Sequence, residues 1–145
     1  VLEPTLKIRD YGHGLNDDQI RNIFGAYGES TKENTNDQIG MMGIGSKSFM
    51  AYCQSIMITS IHNGRKSVYT MYIDETEIGK IACLSEEPTD EESGIEICIP
   101  VQKQDINFFV EKAKYLFQFW NPHPDIHGNS SYSKIEHEYN LEGNG

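Results

Sequence analysis

At 145 residues, 37% of them hydrophobic, the chain has the length and apolar content for one domain with its own core. A formal net charge of −10 argues against nucleic acid as a partner, since that polyanion demands a basic surface, but leaves small phosphate-bearing ligands open. No apolar run reaches the length of a membrane span, the first residues show no signal-peptide pattern, and three scattered cysteines without a C-x-x-C pair read as buried thiols in a reducing cytoplasm.

Leu6 and Ile8 alternate with Thr5, Lys7 and Arg9, which predicts a short strand ending at Asp10. Asp10-Tyr11-Gly12-His13-Gly14 follows. Asp10 is either a turn residue that satisfies nearby backbone groups or a buried carboxylate aimed into a pocket. Asn16 and Gln19 have the spacing of a capping box, with Leu15 and Ile20 as the hydrophobic staple. Ile20, Ile23, Phe24 and Tyr27 then mark the buried face of a helix that Gly28 ends. Glu29 to Gln38 has no apolar residue and reads as a solvated loop. Lys32 within it is a surface charge or a phosphate contact.

Gly40, Gly43 and Gly45 come next, with Ser46-Lys47-Ser48 opening a helix that runs to Tyr52. Free N–H groups at a glycine-rich helix start suit an anion, and phosphate is the natural guest. A tight turn ahead of an ordinary helix is the alternative that the glycines alone leave open. The P-loop pattern fails because Ser46 separates the last glycine from Lys47, and because a polar segment stands where a buried strand should be. The dinucleotide pattern needs the opposite glycine spacing.

Period-two patterning then takes over. Ile56, Ile58 and Ser60 alternate with Met57, Thr59 and Ile61, Asn63-Gly64 is a hairpin turn, and Val68 to Ile73 is the partner strand. Lys80 to Leu84 is expected as a third strand, and Glu86 to Glu92 as an acidic surface loop. In the last strand Ile95, Ile97, Ile99 and Val101 face one way, and Gly94 lets it begin close to another backbone or a ligand. Asp105 to Trp120 is the longest predicted helix, with a wide apolar face, stopped by Pro122 and Pro124. The proline between His123 and His127 denies them a shared helical face for a metal. From Gly128 onward the tail is polar.

Asp-x-Gly-x-Gly (Asp10 to Gly14) at a strand end, a helix and polar segment after it, Gly-x-x-Gly-x-Gly (Gly40 to Gly45) opening a helix, a strand meander and a strand begun by Gly94 together resemble the GHKL ATPase superfamily. That superfamily includes gyrase B subunits, ninety-kilodalton heat-shock chaperones, sensor histidine kinases and MutL. Within it the chain looks most like the phage rapid-lysis-inhibition protein of the rIIA type, from about Leu6 to Trp120. The resemblance implies a Bergerat-type α/β (α+β) two-layer sandwich, with a mixed, mostly antiparallel sheet and helices on one face. Residues 1–121 would be an incomplete ATP-binding domain and 122–145 a lead toward a further domain.

It further implies an ATP site. Asp10 would accept from the adenine amino group, with Gly12 beside it and Gly14 letting the base lie flat. The N–H groups of Gly43, Ile44, Gly45 and Ser46, after Gly40, would cradle the phosphates, with Lys47 or Lys32 as charge partners. Residues 28–38 would be a lid, and Gly94 would begin the third motif. Two departures stand out. Ile95 occupies the place of the family's threonine, and the helix carrying the family's catalytic Glu and Mg²⁺-binding Asn has no counterpart after Val1. The expectation is therefore ATP with Mg²⁺, its metal ligand upstream of Val1, and little or no hydrolysis by this chain. Nucleotide-driven lid closure would control contacts with a protein partner or a second copy, in the host cytoplasm or at the periphery of the inner membrane. A non-catalytic interaction module that keeps the fold is the alternative, and a histidine-kinase catalytic domain a third.

Overall fold

The computed structural model describes residues 4–24, 45–75 and 79–128. The chain divides into two units, Val1–Pro100 and Val101–Gly145.

In the first unit, β1 (Thr5–Asp10), β2 (Ser55–His62), β3 (Arg65–Ile73), β4 (Gly79–Pro88) and β5 (Gly94–Pro100) form one sheet in the order β1-β5-β2-β3-β4. Every pairing among the described residues is antiparallel, in keeping with the mostly antiparallel sheet that the resemblance implies. The register sets Ile58 opposite both Ile97 and Tyr69, and Ile97 opposite Ile8. Because side chains alternate across a strand, Leu6, Ile8, Asp10, Ile56, Ile58, Ser60, Tyr69, Met71, Ile95, Ile97 and Ile99 therefore share one face.

That face carries both helices of the unit, α1 (Asp17–Phe24) and α2 (Gly45–Tyr52). Ile20 and Phe24 of α1 and Met50 of α2 pack in one buried cluster with Ile56, Ile58, Tyr69, Met71, Ile95 and Ile99. Each large aliphatic side chain buried this way contributes about 1.5–3 kcal/mol. The start of α1 is the predicted capping box. Gln19 N–H donates to Asn16 Oδ1 and Asn16 N–H donates to Gln19 Oε1, both at 2.9 Å. Tyr27 and Gly28 lie outside the described residues.

The β2–β3 turn is the one the Asn-Gly pair requires, with φ of 50° at Asn63 and 72° at Gly64. β4 is longer than its pattern predicts. It runs on through Glu86 and Glu87, which pair with Ser67 and Lys66, instead of dissolving into an acidic loop. Cross-strand cations supply the reason: Arg65 Nε donates to Glu86 Oε1 at 2.6 Å, and Lys66 stands opposite Glu87 while its Nζ lies 2.6 Å from Glu91 Oε1 just past the strand. The three cysteines are free. Cys53 and Cys98 are half-buried, but Cys83 on the edge strand β4 is exposed, so the expectation of buried thiols fails there.

In the second unit a 3₁₀ turn (Lys103–Asp105) leads into α3 (Ile106–Phe117), shorter at both ends than predicted. The Phe117 carbonyl accepts from Trp120 N–H and from the His123 imidazole Nδ1, each at 3.0 Å, which closes the helix. No helix among the described residues is long and apolar enough to cross a membrane.

Candidate functional site

β1 ends at Asp10, which pairs with Ile95 and so stands on the helix-bearing face. Its Oδ1 accepts from Gly12 N–H at 2.8 Å, a local turn of the kind short acidic side chains form. The residue is exposed, and the buried carboxylate that the sequence left open is not found. Arg9, one residue earlier, points to the opposite face. Its guanidinium lies 5.0 Å from the Tyr11 ring centroid, and Nη2 donates to the Glu92 carbonyl at 2.6 Å.

From Asp10 the chain steps over the start of β5 and lands on β2. The glycines make this possible. A Cβ on Gly94, at φ 146°, would stand 1.9 Å from the Asp10 carbonyl oxygen. On Gly14, at φ 69°, it would stand 2.0 Å from the Ile61 carbonyl oxygen. Both contacts are with backbone, which cannot swing away. Gly94 thus begins β5 against another backbone, one of the two options in its sequence reading. Gly14 is likewise needed by the packing of the loop on β2, a role its motif does not announce. For a Cβ on Gly12 the nearest atoms would be those of the Asp10 carboxylate, from 2.8 Å.

Two β2 side chains complete the seat of this loop, and neither stood among the sequence candidates. Ser60, 1% exposed, accepts from Leu15 N–H at 2.9 Å and donates to the Leu15 carbonyl at 2.6 Å. His62 Nδ1 bonds the His13 carbonyl at 2.9 Å. The only signal in the sequence was a serine at an inward position of an isoleucine-rich strand. Such a group, once buried, must find partners.

The first turn of α1 is fastened to the sheet by Tyr69, whose hydroxyl donates to Asp17 Oδ1 at 3.1 Å. Burial, reinforced by the Asp17 carboxylate, pushes the Tyr69 hydroxyl up to about 12. Asp17 in turn is held below the usual carboxylate range, mostly by the hydrogen bond from Arg21 one turn along α1.

Helix α2 (Gly45–Tyr52) follows the glycine stretch, and its Phe49 and Met50 pack on the same face as Asp10. Lys32, Gly40, Gly43 and Ile44 lie outside the described residues, as do the side chains of Ser46 and Lys47. Of the candidates, the structure therefore brings together Asp10, Gly12, Gly14 and Gly94.

The opposite face carries a cleft of about 470 Å³ lined by Arg9, Tyr11, Thr59, Ile61, Lys66, Glu91, Glu92 and Glu96. No sequence candidate lines it. Its cations are already engaged, Arg9 by Tyr11 and the Glu92 carbonyl and Lys66 by Glu91. Among the described residues no group of three or more His, Cys, Asp or Glu side chains is placed to hold a metal ion.

Residues 3–105 match the family model described as histidine kinase-, DNA gyrase B-, and HSP90-like ATPase. No curated protein matches the chain. The match covers most of the sequence, and the chain belongs to this ATPase family, which implies ATP as the ligand of its site.

Proposed function

From that membership we propose that ATP lies on the helix-bearing face, with its base at the Asp10–Gly14 loop and its phosphates at the glycine stretch before α2. The observation that carries the reading is the junction at Gly94. Two motifs far apart in sequence meet there backbone to backbone, with the Asp10 carboxylate on the side that α1 and α2 cover. Asp10 accepts from the adenine amino group, so a base lacking that donor forfeits the bond. Gly43, Ile44, Gly45 and Ser46 offer N–H groups to the phosphates, and Lys32 or Lys47 adds charge. Closure of the polar segment 28–38 over the nucleotide changes contacts with a protein partner or a second copy. The resemblance to the phage rapid-lysis-inhibition type extends the reading to a lysis-inhibition role at the inner membrane. It rests on the quoted motifs alone.

One observation favours the second reading, a non-catalytic interaction module that keeps the fold. Asp10 Oδ1 already accepts from Gly12 N–H, and Ile95 offers no hydroxyl to the base. Titration calorimetry with ATP and Mg²⁺ separates the two. Binding that weakens by about ten-fold or more in Asp10→Asn and is lost in Gly45→Val supports the nucleotide site. Unchanged affinity in both variants, or no heat from the wild-type chain, leaves the interaction module standing.

A further inference from the structure

We propose that Ser60 and His62 form a two-point latch that holds the Asp10–Leu15 loop in its base-selecting geometry, which makes them positioning residues for nucleotide recognition. The inference rests on the ATP reading above. Residues 13, 14 and 15 run antiparallel to residues 62, 61 and 60 of β2, each touching its opposite number. His62 bonds the His13 carbonyl, the Ile61 carbonyl fills the space beside Gly14, and Ser60 bonds both backbone groups of Leu15. The loop is thus laid along β2 like a strand, but side chains make the hydrogen bonds that a backbone ladder would make elsewhere.

Ser60 is 1% exposed, so water has little access to replace its hydroxyl if it is removed. The His13 carbonyl can only accept, so His62 carries its proton on Nδ1 and leaves Nε2 as an acceptor. Asn63 Nδ2 supplies the donor at 3.1 Å, from a residue held at φ 50° in the β2–β3 turn. The turn therefore fixes the imidazole, the imidazole and Ser60 fix the loop, and the loop carries Asp10. A latch of this kind acts on base selection beyond fold stability, because Asp10 must meet one amino group while the phosphates are held elsewhere.

The test uses the full chain with ATP and inosine triphosphate, which differ at the group Asp10 is proposed to read, and follows hydrogen exchange at the Leu15 amide by NMR. Ser60→Ala is expected to speed Leu15 exchange and to lower the ATP-to-inosine-triphosphate affinity ratio, each by about ten-fold. Ser60→Thr, which keeps the hydroxyl, restores both. At the rim, His62→Ala lowers the ratio, and His62→Asn, with a donor near the place of Nδ1, returns it. A lower melting temperature with the ratio unchanged would mean a merely structural role and overturns the proposal, as does Leu15 exchange unaltered in Ser60→Ala. Should Ser60→Ala fail to fold, the His62 pair decides. If the wild-type chain binds neither nucleotide, the ATP reading and the positioning role fall together. Faster Leu15 exchange in Ser60→Ala would then show a latch that serves only the fold.

Discussion

The two ends of the β2 hairpin system hold themselves together by different physics. Where β1, β5 and β2 meet, backbone lies against backbone at Gly14 and Gly94, and a buried serine supplies paired hydrogen bonds. Along the β3–β4 side, the exposed Arg65–Glu86 ion pair ties the strands across their solvent surface, and Lys66 reaches Glu91 just past the end of β4. The first kind of contact has no slack, whereas the second is screened by water and salt. Sensitivity to substitution should therefore be concentrated at the loop that carries Asp10, and the β4 edge should tolerate change.

The largest test of that contrast is Gly94→Ala or Gly14→Ala against Gly64→Ala. The first two drive a methyl into a carbonyl oxygen and should destabilise by on the order of 4 kcal/mol or more in urea unfolding. Gly64 has a positive φ but nothing nearer than the Thr89 carbonyl at 3.9 Å, so its variant should lose about 1–2 kcal/mol from backbone strain alone. Equal losses at the three positions would refute the contrast. Next, Ile58→Ala, in the floor beneath both helices, should lose about 2–5 kcal/mol, while Leu84→Ala on β4, 56% exposed, should stay within about 0.5 kcal/mol.

Tyr69→Phe should lose about 1 kcal/mol near neutrality with the bond to Asp17. It also has a pH signature. The folded-state value of about 12 lies above the ordinary 10.0, so the stabilisation is whole below pH 10 and is lost as pH rises toward 12. Phenolate absorbance during an alkaline titration should show one late tyrosine that vanishes in Tyr69→Phe. The smallest effect is expected from Glu91→Gln. Lys66 holds the Glu91 carboxyl below its usual range, a contribution present above the unfolded carboxylate value and lost as the pH falls through the folded one. The variant should flatten the acid limb of the stability profile slightly, less so in high salt, and a steeper acid limb would argue against the ion pair.

Much of this architecture was legible in the sequence because its signals are local. The Asn16–Gln19 capping box, the Asn63–Gly64 turn and the alternation from Ile95 to Ile99 each act within a few residues. The end of β4 was not legible, since Glu86 and Glu87 look like solvated surface until the cross-strand cations Arg65 and Lys66 are known. The Asp-x-Gly-x-Gly motif marked the loop that crosses to β2, but Ser60 and His62, which seat it there, carried no pattern of their own.

From the chain alone came the strands, the first two helices, their inward faces and the family likeness, because periodicity, caps and turn residues are properties of neighbours in sequence. Only the tertiary structure decided that β5 enters between β1 and β2 and that the Asp10 loop crosses its start to rest on β2. It also gave Gly14 and Gly94 their reason, the missing Cβ that two backbones in van der Waals contact require. That contact joins residues far apart along the chain, so no local signal could announce it.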